Sequence, residues 1–255
     1  ARAVVGQING LAVYQIGDFS FGRPVRITAQ TFMGKPGVIN VEREADMSGR
    51  THDKGVLILS GYLGGVFAQH HPLSLAISIT FEQSYSDIDG DSASSTELYA
   101  ILSSLADIPI RQGIAVTGSV NQRGQIQAIG GVNQKVEGFF EVCREKGLTG
   151  EQGVIIPFSN VQNLMLRKEV IDAVRKKQFH VYRVSTVEEG IEILTGVKAG
   201  RPDSQNGYAP GTVFGEVQKK LKTYIDRARR AKQELDGEAE QQRRKYHADR
   251  YGESH

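Results

Sequence analysis

Two side chains of this sequence have the type and setting to do covalent chemistry together. Ser92 lies in Asp89-Gly90-Asp91-Ser92-Ala93-Ser94, and Lys135 lies in Gly130-Gly131-Val132-Asn133-Gln134-Lys135. A serine hydroxyl becomes a nucleophile when a neighbouring base takes its proton. An ordinary lysine, with a pKa of about 10.4, holds its own proton too tightly to be that base. Burial and the positive end of a helix dipole both lower the value, and each segment sits where a loop turns into a helix. The chemistry that follows is acyl transfer. Ser92 attacks a carbonyl, Lys135 relays the proton, and backbone N–H groups at the helix start receive the charge on oxygen. The N–H of Ser92, with that of Asp91 or Gly90, is the candidate cradle, and a peptide bond is the acceptor to which the pair points. Taken singly, each residue has a plainer role: Ser92 as a helix cap, Lys135 as a surface lysine whose stem covers apolar neighbours.

The elements that must position them are legible as periodicities. Leu98, Ile101, Leu102 and Leu105 form the stripe of a helix over 93–106, buried on one face. Ser94 and Glu97 fit a capping box, with Asp91 or Ser92 as an earlier cap. The alternating, branched run 75–81 reads as a strand. Segments 114–120 and 124–129 read as a hairpin turning through Asn121-Gln122-Arg123-Gly124. A helix over 133–147 follows, capped by Asn133, with Val136, Phe139, Phe140 and Cys143 inward. Further strands are predicted at 8–13, 25–32, 38–44, 56–60, 154–157 and 180–184, with 24–32 and 38–44 pairing as a hairpin. Further helices are predicted at 61–69, 160–167, 169–176 and 187–195. The alternation is that of an α/β protein.

The text around both residues resembles a known family. Phe81-Glu82-Gln83-Ser84-Tyr85-Ser86-Asp87-Ile88-Asp89-Gly90-Asp91-Ser92-Ala93-Ser94 is similar to the nucleophile segment of Lon proteases of the B-type branch. Thr117-Gly118-Ser119, Arg123-Gly124 and Ile129-Gly130-Gly131-Val132-Asn133-Gln134-Lys135-Val136-Glu137 resemble its lysine segment, and the 43-residue interval from Ser92 to Lys135 suits it. His52-Asp53-Lys54-Gly55-Val56-Leu57-Ile58-Leu59-Ser60-Gly61-Tyr62-Leu63 and Gly6-Gln7-Ile8-Asn9-Gly10-Leu11-Ala12-Val13 also look like that branch. The resemblance implies an α/β Lon protease fold: mixed sheets with flanking helices around a ribosomal-protein-like core, plus a C-terminal helical extension. It implies a Lon proteolytic domain over 1–197, and makes Ser92 the nucleophile and Lys135 the general base of a Ser-Lys dyad without histidine. Thr117 matches the threonine that orients the lysine amine. Asp89 matches an acidic position three before the serine, near the lysine in some relatives and structural in others. By the same resemblance a neighbouring edge strand takes the substrate backbone by β-augmentation. The implied activity is that of a serine endopeptidase cleaving unfolded polypeptides in a homo-oligomeric, hexameric ring.

Composition adds bounds. The chain has 255 residues, 39% of them hydrophobic, and a net charge of +2, so no global field recruits nucleic acid. The single cysteine, Cys143, rules out an internal disulfide and fits a reducing, cytoplasmic compartment. No apolar run approaches a membrane span. Gly-x-x-x-x-Gly-Lys-Ser/Thr is absent, so no cofactor is expected here. ATP and Mg2+ belong, by the resemblance, to an AAA+ ATPase module expected N-terminal to Ala1. Adjacent His70 and His71 lack a clear third ligand, so no metal site is expected. After a Gly- and Pro-rich linker, 198–211, the tail 212–255 carries a helical seam at Val217, Leu221, Tyr224, Ala228, Ala231 and Leu235. Its last dozen residues are polar enough to be disordered. Lys219, Lys220, Lys222, Arg227, Arg229, Arg230 and Lys232 raise a rival reading as a nucleic-acid binder, weakened by interspersed acids. A non-catalytic assembly module with Ser92 as a cap is the other.

Overall fold

The computed structural model describes residues 2–34, 37–69, 72–84 and 88–251, with side chains up to residue 241. His70 and His71 lie outside the described residues. In chain order the strands are β1 (Ala3–Val4), β2 (Gln7–Ile16), β3 (Phe19–Phe32), β4 (Gly37–Asn40), β5 (Ala76–Phe81), β6 (Ile110–Arg111), β7 (Ile114–Val116), β8 (Ser119–Val120), β9 (Ile126–Gln127), β10 (Gly153–Pro157) and β11 (His180–Val184). The helices are α1 (Val41–Glu44), α2 (Arg50–Phe67), α3 (Ser94–Ala106), α4 (Val132–Glu145), α5 (Lys168–Arg175), α6 (Val187–Thr195) and α7 (Val213–Tyr251), with a 3-10 helix at Phe158–Asn163.

Seven strands form one mixed sheet in the order β11-β10-β7-β2-β3-β5-β4. β11, β10, β7 and β2 run parallel, and β3 is antiparallel to both β2 and β5. The period of two then sorts side chains to opposite faces. Ile114, Val116 and Ile155 enter the core shared with α2, α3, α6 and α7, whereas Ala115, Val154 and Ile156 enter the one shared with α4 and α5. So the helix that follows Ser92 and the helix that carries Lys135 cover opposite faces of the sheet. Their side chains can meet only past the end of a strand, and β7 stops early, at Val116.

Several elements differ from the periodicity reading. Residues 56–60 are not a strand; they belong to the single helix α2, which buries His52, Gly55, Val56, Leu59, Tyr62 and Leu63 along one face. The short run Val56-Leu57-Ile58-Leu59 mimics a buried strand, but Leu57 is 63% exposed, as a helix demands. β4 ends at Asn40, and α1 replaces the rest of the predicted strand 38–44. β3 pairs with β2 and β5, while β4 lies parallel to β5, so the hairpin runs through Gly17 and Asp18 instead of 33–37. The predicted hairpin at 114–129 is divided. Ser119–Val120 pairs with Ile126–Gln127, but Ile114–Val116 joins the main sheet. The helix predicted at 160–167 shrinks to the 3-10 segment.

The first half of α7 belongs to the core. Val213, Phe214, Val217, Leu221 and Tyr224 are buried, and Phe214 packs edge-on against Phe67 and Tyr208. Beyond Ala228 the described side chains are exposed, and the helix continues to Tyr251, into the segment where the sequence suggests disorder. Good helix formers (Ala, Glu, Gln, Lys, Arg) sustain it. Phe214→Ala should therefore lower stability by about 3–5 kcal/mol in urea unfolding of the full chain. Leu235→Ala, on the exposed half, should change it by less than about 0.5 kcal/mol.

Candidate active site

Residues 92–96 and 116–120 run side by side and are laced together. Gly118 N–H donates to the Ser92 carbonyl at 2.9 Å and Ser95 N–H to the Gly118 carbonyl at 3.1 Å. The Ser95 and Thr96 hydroxyls donate to the carbonyls of Gly118 and Val116, and Ser94 Oγ accepts from Val120 N–H. The capping box is thus absent: Ser94 serves the neighbouring strand, the N-cap is Ala93, and Glu97, in the first turn, is buried and makes no cap bond. These bonds fix Ser92 against the segment that leaves β7.

Lys135 reaches the same place from the other face. α4 starts at Val132 from Gly131, whose φ of 68° is left-handed, a conformation that suits glycine. Asn133 is not the cap; its side chain bonds the backbone of Asn163 and Met165. α4 crosses β3 at backbone contact. A Cβ on Gly22 would lie 2.1 Å from the Gln134 carbonyl oxygen, and one on Gly138 would lie 1.9 Å from the Gly22 oxygen. Two glycines therefore let the helix sink until Lys135 is 4% exposed. Its Nζ lies 2.9 Å from Ser92 Oγ and 3.1 Å from Thr117 Oγ1, and the Thr117 hydroxyl reaches the Ser92 carbonyl at 3.4 Å. Burial lowers the lysine pKa to about 8, against an opposing pull from Asp91.

The acidic residues divide. Asp91 carries the charge that acts on the amine, and Ser119 Oγ donates to its Oδ2 at 2.8 Å. Asp89 is turned away. Its Oδ1 accepts from the N–H groups of Thr51 and His52 at the start of α2. Bonding to the backbone of Gly90 first, and of His52 and Thr51, holds its carboxyl below the usual range. Gly90 N–H is thus drawn to Asp89, while the N–H groups of Asp91 and Ser92 have no acceptor among the described residues. Periodicity missed Gly22, Gly138 and Ser119. The first two were detectable as isolated glycines inside a strand and a helix, a mark of close backbone approach.

Ser92 and Lys135 lie in a cleft of about 890 Å3 with Leu11, Val13, Tyr14, Asp91, Gly130 and Gln134 among its walls. β2 pairs with β3 as far as Ile16 but with β7 only at Asn9 and Gly10. From Leu11 to Ile16, one edge of β2 carries no strand among the described residues.

Comparison with known proteins places this chain in a family. Residues 1–196 match the Lon protease (S16) C-terminal proteolytic domain. A Lon protease homolog of Escherichia coli is 43% identical over 192 residues, covering 74% of this chain and 33% of that protein. One from Haemophilus influenzae is 44% identical over 195 residues, covering 76% and 32%. The archaeal Lon protease of Methanocaldococcus jannaschii is 32% identical over 201 residues, covering 74% and 27%. The chain belongs to the Lon protease proteolytic-domain family, and its likeness to archaeal members agrees with the B-type character of its motifs. It spans about a third or less of the length of these relatives.

A buried lysine whose pKa falls from 10.5 to about 8 weakens the fold at neutral pH by on the order of 3 kcal/mol, at about 1.36 kcal/mol per unit. Between those two pH values the unfolded chain binds more protons than the folded one, so stability rises with pH. Lys135→Met should gain on the order of 1–3 kcal/mol at pH 7, after losing two hydrogen bonds. The gain should fade as pH climbs from about 8 toward 10.5, as urea titrations of both proteins would record.

Proposed function

We propose that this chain is a serine endopeptidase acting on unfolded polypeptides through Ser92 and Lys135. The observation that carries the reading is the 2.9 Å approach of Nζ to Oγ in an open cleft, by an amine whose pKa burial lowers to about 8. The neutral amine accepts the Ser92 hydroxyl proton through its lone pair and donates an N–H to Thr117, whose own hydroxyl proton points to the Ser92 carbonyl. Ser92 Oγ attacks the peptide carbonyl, and the N–H groups of Asp91 and Ser92 receive the oxyanion. Lys135 then protonates the leaving amine, and water repeats the cycle to free the acyl half. An extended substrate adds to the open edge of β2, whose main-chain groups recognise backbone rather than side chains.

On this reading the domain works as part of a longer ATP-dependent protease. The AAA+ module, with its ATP and Mg2+, lies elsewhere in such a protein, and the domain assembles as a homo-oligomer, hexameric by family likeness. Folded proteins need the motor; unfolded chains and peptides do not. The chain acts in the cytoplasm.

Cleavage of an unfolded casein-like substrate should rise with pH through about 8 as Lys135 loses its proton. Ser92→Ala should lower it by on the order of 10^4-fold or more, with an unchanged circular dichroism spectrum. A serine-directed covalent inhibitor should label Ser92, as mass spectrometry would show. Wild-type cleavage by Ser92→Ala would end the assignment, and an unlabelled, inactive wild type would favour an assembly module or a basic-tail binder.

A further inference from the structure

Beneath the Ser92 loop lie buried polar side chains that the reaction above does not use. His52 is 1% exposed and Glu97 0%. His52 Nε2 stands 3.6 Å from Glu97 Oε1, and among the described residues neither that nitrogen nor either Glu97 oxygen has a hydrogen-bond partner. The distance is just beyond a formed bond, so each group is placed to satisfy the other. The imidazole sits edge-on to Phe81, ring centres 5.4 Å apart. Glu42, from α1, faces both groups: its Oε1 accepts from Phe81 N–H and the Thr80 hydroxyl, while its Oε2 has no hydrogen-bond partner among the described residues and belongs to the same buried polar cluster.

The pair touches the loop from two sides. His52 is in the first turn of α2, and its N–H and that of Thr51 hold the Asp89 carboxylate. Its ring also bonds the Gly90 backbone. Glu97 is in the first turn of α3, directly after the loop. Further back, Ile88 exchanges backbone bonds with Met47 and Gly49. Burying an acid and an imidazole is unfavourable unless they answer one another, and apolar side chains would fill the same space at lower cost. Burial lowers the His52 pKa and raises that of Glu97 to about 8. Near neutrality, then, the carboxyl has a proton to donate and Nε2 a lone pair to accept it, leaving the ring's other nitrogen to donate to the Gly90 carbonyl.

We propose that His52 and Glu97 are positioning residues: the pair clamps residues 88–92 between α2 and α3 and so sets where Ser92 stands relative to Lys135. The proposal rests on the protease reading of the same site. Neither residue touches substrate, so the effect should appear in turnover and not in binding.

Glu97→Gln keeps the size and a donor for Nε2, and should cleave peptide within about threefold of wild type. Glu97→Leu keeps the volume without the donor. It should lose on the order of 10–100-fold in kcat, the scale of a small misplacement of reacting groups, with KM and melting temperature nearly unchanged. Should it fail to fold, His52→Phe reads the same quantities. Equal kcat in wild type, Glu97→Leu and His52→Phe overturns the clamp and leaves the protease reading intact. If the wild type neither cleaves nor labels, hydrogen exchange of 88–92 still decides. Faster exchange in Glu97→Leu but not in Glu97→Gln supports the clamp, and identical exchange overturns it.

Discussion

The contact between Lys135 Nζ and Ser92 Oγ joins two helices that cover opposite faces of one sheet, and much of the domain is arranged so that it can form. β7 ends at Val116 while β2 and β3 run on, which opens a gap where the two faces communicate. Thr117 is the first residue past that end and is hydrogen-bonded to both sides, to the Lys135 amine and to the Ser92 carbonyl. A longer β7 would put a strand where the amine and the hydroxyl meet. A shorter one would lose Thr117 N–H to the Ile155 carbonyl, the last tie between this segment and β10.

Depth decides the chemistry at that junction. The amine is buried because α4 crosses β3 with no side chain between them, at Gly22 and Gly138. Adding a methyl at either glycine would lift the helix and return Lys135 toward water, where its proton stays bound. Asp91 pulls the other way. Its carboxylate is held by Ser119 instead of by the amine, so it lends charge to the site without neutralising Lys135 in a direct ion pair. The result is a lysine that titrates within reach of physiological pH, where an acid-base catalyst is most effective.

How much of this was legible in the sequence follows from how local each cause is. The inner face of α4 obeys a 3.6-residue period, whereas α3, read as buried on one face, is buried on nearly every side because α7 and the sheet both pack on it. The approach of Ser92, Thr117 and Lys135 matches the motif resemblance. Where a side chain is claimed by a partner distant in sequence, local rules mislead. Ser94 looks like a cap but is taken by Val120 N–H, Asn133 looks like a cap but is taken by residues 163 and 165, and Asp89 is taken by the start of α2. The strand misread at 56–60 has another origin. Four consecutive apolar residues carry no period, and only the wider spacing of His52, Val56, Leu59 and Leu63 shows the helix. Strand order was out of reach because β4 prefers β5 to its sequence neighbour β3, a choice made by the sheet as a whole.

The unfilled hydrogen-bonding capacity of the backbone has a pattern of its own. Around Ser92 nearly every polar group is used: three consecutive hydroxyls, at 94, 95 and 96, bond the facing segment, and the carbonyls of Ser92, Gly118 and Val116 all accept. Among the described residues the N–H groups of Asp91 and Ser92 and the outer edge of β2 over 11–16 have no backbone partner, and both open on the same cleft. An open strand edge is ordinarily covered or blunted. On the proposed function, an extended chain would complete both, its main chain on β2 and its carbonyl oxygen between the two N–H groups. On that reading the order that the lacing imposes on Ser92 would serve as preorganisation, since the proposed donors would not have to move when negative charge develops on that oxygen.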